Sequence, residues 1–390
     1  MTKKVSRNRQ INIKIATTVE GIESLRPHWE KMNFHPLSDI DYYLHVLNSS
    51  NITMRPYVMF LSDMDRHQVM VVGHVTYKRL KFKLGYKNLF SLKARCLTIV
   101  PGGYMGNTSK EILHAVVRNL IEQLSFGKTD LVFFYGLPAD SEICALLKTE
   151  RPFFVRDTFP WIHMHRRISL PNSFSEYYSS LSKNTKSNIR KYGNRISKKY
   201  ANQLSIICLR RPGDIDKIIK DTELIANKTY QRGLGVGFSY HKNREHLIFM
   251  LNKGWFRAYI LYINRMPVAF WHGLHYKNTF LIESTGYDPA YRYYHPGNYL
   301  LMKIVEQLCD DNIRYIDFAR GDAEYKRRYG NQAWKECSFY IFAPTIRGLK
   351  IYVIRSIVGF IDKVVKKVLV QLHLYDSIKK AWRNSITPAR

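Results

Sequence analysis

Two stretches of this 390-residue chain read in the same order: helices, an apolar meander, a glycine-containing break, one amphipathic helix, then a short apolar strand. That order limits the fold more than any other feature, because strands interleaved with single helices are the pattern of an α/β unit. In the first stretch, residues 19–50 are predicted helical, with Ile22, Leu25 and Trp29 on one stripe. Runs 57–61, 69–77 and 96–100 read as strands, and Pro101-Gly102-Gly103 breaks the last. A helix over 109–124, with Ser109 as its cap, and a strand over 131–135 follow. After a polar connector near 151–166 the order returns. Helices are predicted at 174–181, 184–200, 215–230 and 296–308. Strands are predicted at 204–208, 258–263, 267–275, 279–286, 315–318 and 339–342. Duplication of one unit accounts for both halves, and roughly 100–200 residues per domain fits the length. The expected bounds are 1–165, 166–348 and a separate tail, 349–390.

The tail differs from what precedes it. Ile354, Ile357, Val358, Ile361, Val364, Val365, Val368 and Leu372 recur at steps of three and four, with Arg355, Lys363, Lys366 and Lys367 off the stripe. This is the pattern of a basic amphipathic helix. Over 349–384 it suits an anionic membrane surface, and equally a packed face on the rest of the protein or on a twin subunit. The whole chain carries 61 Lys+Arg against 31 Asp+Glu, a formal charge of +30. That excess points to an anionic partner: nucleic acid, lipid headgroups or a phosphorylated small molecule. The five cysteines are scattered without a CxxC pair, which argues against a zinc site or a disulfide framework and suits a reduced, cytoplasmic protein. Residues 1–18 hold no apolar run of signal-peptide length, and no uncharged stretch is long enough to span a membrane.

Four constellations could carry chemistry. The first runs from Thr285 through Tyr287, Arg292 and His295 to Gly297 and Asn298. Here a strand ends and a helix opens at Pro296-Gly297. Proline suits the first helical turn, and free N–H groups at a helix start bind phosphate. Arg292 and His295 add charge there, although an ordinary strand-to-helix loop has the same look. The second is the segment Tyr315–Arg320 with the cluster Asp322, Glu324, Lys326, Arg327 and Arg328. Asp317, an acid in an apolar strand, needs a partner or a task, and Lys326 or Arg320 could pair with it. A lysine held beside a carbonyl could stabilise developing negative charge, and a structural ion pair is the plain alternative. The third is the segment 183–200, with seven Lys/Arg, Arg190 among them, and no acid. Such a helix is a solvated face or an anion site. The fourth is His272, a candidate general base or a satisfied core histidine. GxSxG, HExxH, P-loop and GxGxxG motifs are absent.

Taken in order, the basic helix, Pro267-Val-Ala-Phe, Gly-Tyr-Asp-Pro ending in Pro-Gly-Asn-Tyr-Leu-Leu, and Tyr-Ile-Asp-Phe-Ala-Arg-Gly-Asp-Ala-Glu-Tyr-Lys resemble a known pattern. The chain is similar over residues 170–340 to the GNAT-like acetyltransferases of the CelD, or BioF2-like, type, relatives of the FemAB peptidyl transferases. The resemblance implies an α/β (α+β) fold of two GNAT-like units, each a mixed, mostly antiparallel sheet flanked by helices, plus the C-terminal basic helix. It implies an acyl donor whose phosphate-bearing carrier, acyl-CoA such as acetyl-CoA, sits at the Pro296-Gly297 helix start. The donor residues would be Tyr287, Arg292, His295, Gly297, Asn298 and Arg190, with no metal. Lys326 matches the position linked to transfer chemistry in FemAB-type relatives. Asp317 would orient it, and Asp322 or His272 would be the base. The expected acceptor is an amine or hydroxyl of a sugar or polysaccharide precursor, at the cytoplasmic side of a membrane. Two rivals stay open: aminoacyl transfer from aminoacyl-tRNA, which the charge would suit, and a non-catalytic membrane-face adaptor.

Overall fold

The computed structural model describes residues 11–49, 53–64, 67–85, 87–125, 127–149, 156–229, 238–374 and Ser377. The first unit opens with strand β1 (Asn12–Ala16), helices α1 (Val19–Glu23), α2 (Arg26–Met32) and α3 (Ile40–Ser49), and strands β2 (Arg55–Ser62), β3 (Gln68–Leu84) and β4 (Lys87–Asn107). Helix α4 (Lys110–Ser125), strand β5 (Leu131–Pro138) and helix α5 (Glu142–Thr149) follow. Ser109 caps α4, its hydroxyl accepting from Ile112 N at 3.3 Å. Trp29, Ile22 and Ile40 bury one side of the sheet; Ile112, Val116 and Leu120 of α4 bury the other.

Strands β3 and β4 are far longer than their apolar runs imply. Between them Leu80 and Phe82 alternate inward with Arg79, Lys81 and Lys83 outward, so the hairpin is a half-buried ribbon, which a search for continuous apolar runs passes over. Pro101-Gly102-Gly103 does not end β4. The register jumps there, from Val71↔Tyr104 to Gly73↔Ile99, leaving a bulge. Gly102 sits in it at φ +70°, where a Cβ would lie 2.4 Å from Cβ of His35.

The second unit begins with strand β6 (Trp161–Ser169), in what the sequence suggested was a connector, and helices α6 (Phe174–Ser180) and α7 (Lys183–Tyr200). It continues through β7 (Leu204–Leu209), α8 (Ile215–Ala226), α9 (Arg244–Asn252), β8 (Phe256–Ile263), β9 (Met266–Tyr276) and β10 (Thr279–Tyr287). Helix α10 (Pro296–Asp310), strand β11 (Tyr315–Arg320) and helix α11 (Glu324–Tyr329) complete it. One core joins Trp271 and Phe280 of the sheet to Leu300, Leu301 and Ile304 of α10 and to Tyr177 and Ile196 of the first two helices.

The chain then returns to the first unit with strand β12 (Gln332–Phe342) and helix α12 (Ile346–Gln371). The two compact units are therefore Met1–His163 with Lys335–Tyr375, and Met164–Trp334 with Asp376–Arg390. Residues 335–348, expected in the second unit, belong to the first, because β12 runs antiparallel to β5 from Glu336↔Pro138 to Phe342↔Leu131. The tail is no separate domain either: Ile351 and Tyr352 are buried against Leu80, Phe82 and Phe342. Lys379, Lys380 and Arg383 lie outside the described residues.

Strand order is β1-β2-β3-β4-β5-β12 in the first unit and β7-β8-β9-β10-β11-β6 in the second. In each, four antiparallel strands are followed by one parallel strand reached through a helix: β4 pairs with β5, and β10 with β11. An antiparallel strand then closes each order, β12 on β5 and β6 on β11. The two strand orders repeat one topology, mixed and mostly antiparallel.

Candidate active site

The parallel pair in the second unit is short. β10 and β11 are in register only from Thr279↔Tyr315 to Leu281↔Asp317. β10 then bulges between Ile282 and Ser284 and runs on to Tyr287, while β11 turns away at Ala319 (φ +53°) and Gly321 (φ +103°). A pocket of about 540 Å³ opens beside the end of β10, which stays paired with β9 but has parted from β11. Thr285, Gly286 and Tyr287 of β10 line it, with Arg292, His295, Gly297 and Asn298 of the loop and helix start. Trp271, Tyr192, Glu324, Tyr325 and Arg328 complete most of the wall.

The loop is held by its own sequence. Asp288 caps the turn Pro289–Tyr294, accepting from Ala290 N at 3.0 Å, and pairs with Lys228 at 2.6 Å. His295 adopts a left-handed conformation (φ 50°, ψ 49°), which lets α10 begin at Pro296. Trp271 Nε1 donates to Gly297 O at 2.9 Å, and Tyr329 Oη donates to Asn298 Oδ1 at 3.2 Å. The His295 ring stacks on Tyr192, centroids 3.9 Å apart. Burial first, and then Arg195, Arg328, Lys191 and Arg292, hold its pKa below the ordinary value. Those four cations and the open end of a 15-residue helix make this wall attractive to an anion.

Five of the six expected donor residues, Tyr287, Arg292, His295, Gly297 and Asn298, line this one pocket. Arg190 does not: it is exposed on α7, two residues from Tyr192. Two residues turn a helix by about 200°, so these two side chains leave opposite sides of it.

The expected catalytic four are dispersed. Lys326 is buried, and its ammonium donates to the carbonyl oxygens of Phe318 (2.6 Å), Arg320 (2.5 Å) and, more weakly, Ala319 (3.4 Å). Burial brings its pKa down to about 8, with Asp317 acting the other way. Asp317 pairs with neither Lys326 nor Arg320; it meets His165 Nε2 at 2.6 Å and accepts from Ala319 N at 2.7 Å. Lysine and aspartate thus tie down the turn that carries β11 away from β10. Asp322 is half exposed and bridges Arg166 (2.7 Å) and Arg327 (3.0 Å) outside the pocket wall.

His272 faces away from the pocket, because side chains alternate along a strand and its neighbour Trp271 faces it. Its ring is enclosed by Phe238, Tyr240, Phe256 and Phe270, and neither nitrogen finds a hydrogen-bond partner among the described residues. Nδ1 is 3.7 Å from the Glu283 carboxylate, too far for a hydrogen bond. Burial pushes its pKa down to about 3. Such a ring stays neutral and is out of reach of a reacting group in the pocket.

Sequence reasoning missed Tyr192, Trp271, Tyr325, Glu324 and Arg328 as pocket residues. The last two were legible as an i, i+4 acid–base pair on one helical face, and their side chains do pair.

Residues 183–327 match the model of the acetyltransferase (GNAT) domain. The matched residues lie within the second unit, which is therefore similar to a GNAT domain. The match spans the basic helix, the splayed strands and α10, and stops one residue beyond Lys326. Two solved structures share the fold along most of the chain. One is a conserved protein from Bacteroides thetaiotaomicron, 15% identical, with TM-score 0.51, covering 85% of this chain and 100% of its own. The other is FemX, 10% identical, with TM-score 0.55, covering 84% of this chain and 97% of its own. The architecture is thus a GNAT-like fold, which FemX shares. No curated protein matches the sequence.

Proposed function

We propose that the GNAT unit transfers an acyl group from a phosphate-bearing carrier, acyl-CoA, to an amine or hydroxyl of a sugar or polysaccharide precursor. The observation that carries this reading is the convergence of a splayed parallel pair, an open helix start and a cationic wall on one pocket. The carrier's phosphates would lie on the α10 start beside Arg292 and His295. The acyl chain would enter the gap on the side of β10 that β11 has left, where an amide-containing arm could pair with the backbone groups facing away from β9. Attack on a thioester carbonyl forms a C–N or C–O bond and expels the thiolate. It needs a proton acceptor for the nucleophile and a donor for the oxyanion. Glu324, the carboxylate of the pocket wall, is our candidate acceptor, held by Arg328. Lys326 and Asp317 are positioning residues in this scheme.

The test is thermal stabilisation and calorimetric binding with acetyl-CoA, followed by thiol release in the presence of amino sugars. Binding that disappears in Arg292→Ala with His295→Ala supports the reading. Absence of binding by any CoA thioester overturns it. Aminoacyl-tRNA is the second reading, favoured by the seven Lys/Arg and no acid along 183–200 beside Tyr192. It predicts tRNA retention that falls steeply with salt.

A further inference from the structure

Helix α12 has two apolar faces, and among the described residues only one is covered. On the inner face Ile351, Tyr352, Ile354 and Val358 pack on the first unit's sheet, and Arg355 grips Asp157 with two bonds of 2.8 Å. On the other face stand Val353, Ile357, Phe360, Ile361, Val364 and Val368, exposed by 49, 54, 60, 44, 43 and 44% respectively. Their steps of 4, 3, 1, 3 and 4 keep them on one stripe about four turns long. None of the six joins any hydrophobic core among the described residues. Scattered exposed apolar side chains need no explanation; a continuous stripe of this length marks a contact surface.

The charge around the stripe says what kind of surface meets it. Lys363, Lys366 and Lys367 are exposed along the same helix. From Lys363 to Leu374 there are these three lysines and no acid. The β3–β4 ribbon adds seven more between Tyr77 and Arg95 and no acid, and its tip is bound to the helix through Gly85 N and Asp362 Oδ1 at 2.8 Å. A second copy laid stripe to stripe would bring these cations together, whereas an anionic surface would neutralise them. No helix among the described residues is long and apolar enough to cross a membrane, so the helix would lie along the interface.

We propose that the outer face of α12 docks the protein on an anionic lipid bilayer, the stripe entering the headgroup layer and the lysines meeting lipid phosphates. The test is co-sedimentation of the full chain with phosphatidylcholine vesicles, with and without phosphatidylglycerol. The comparison variant is Ile357→Asp, Phe360→Asp and Val364→Asp together. The expected result is binding to the anionic vesicles at least about 20-fold tighter than to neutral ones, weakened by raising salt from about 0.1 to 0.5 M. The triple variant should lose about 20-fold or more while keeping its Tm. If that variant does not fold, Lys363→Gln, Lys366→Gln and Lys367→Gln, on exposed lysines, should weaken anionic binding at unchanged Tm. Equal binding by the variants, no binding by the parent chain, or a stripe-dependent dimer in light scattering would each overturn the proposal.

Discussion

Replacing Lys326 by alanine separates its two conceivable duties. The ammonium makes two close bonds, to Phe318 O and Arg320 O, and a longer one to Ala319 O. Two charge-assisted bonds of this kind contribute about 3–6 kcal/mol together. Against that stands the burial that lowers the pKa from 10.5 to about 8, an opposing effect of about 3 kcal/mol. The alanine variant also leaves carbonyls of the turn unpaired, adding about 1 kcal/mol or more. The net expectation is a loss of about 1–4 kcal/mol. In a unit of this size that is a fall in Tm of about 2–16 °C. Calorimetry gives Tm, and acetyl-CoA titration gives donor affinity. Lys326→Met should behave like alanine, since it keeps the stem and removes the donors. Donor binding should weaken in proportion to disorder of the β11 turn. A variant with unchanged Tm and turnover lowered a hundredfold would refute this, and would place the ammonium on the reacting carbonyl instead.

Other expectations are equally direct. His272→Leu should leave turnover unchanged. It should also flatten the acid side of the stability profile. The folded pKa of His272, about 3, lies below its ordinary 6.5, so the unfolded chain binds the extra proton and stability falls as pH drops from 6.5 towards 3. The Glu283 carboxyl, raised to about 7 by burial, acts in the opposite sense above pH 4.5. The comparison is therefore clean below pH 4.5, where the parent should lose about 1.4 kcal/mol per pH unit more than the variant. Donor binding should take up a proton at His295, because an anion in the pocket raises a pKa that burial and four cations hold down. Affinity should then strengthen as pH falls, with heats that differ between buffers. Glu324→Gln should lower turnover about 100-fold or more while leaving acetyl-CoA affinity near that of the parent. Asp322→Asn, on an exposed carboxylate, should change neither Tm nor turnover.

What the sequence disclosed and what it hid follow from range. The helix start at Pro296-Gly297 and the strand-turn-helix after Tyr315 are local patterns, set by proline, glycine and periodicity, and they emerge within a few residues of their expected bounds. The pocket residues on α7 and β9 are another matter. Tyr192 reaches the site because α7 packs against α10, and Trp271 because of the face it takes on β9; no local spacing records either. His272 was attractive as an isolated residue type, and only the surrounding aromatic cage reveals it as a core histidine. Asp317 needed a partner, and the partner lies 152 positions earlier, at His165. Strand β6 was hidden for a similar reason: WIHMHRRIS has no two-residue period, and its extended form makes sense only beside β11.

The late arrival of β12 has a consequence for biosynthesis. During translation the first unit must wait through more than 160 residues of the second before its last strand leaves the ribosome. In that interval Leu131–Pro138, the sequence LVFFYGLP, offers an open, apolar sheet edge. A nascent chain stalled anywhere before Gln332 should be a client for chaperones. Expression of residues 1–163 alone should give aggregates that a separately supplied 332–375 segment dissolves.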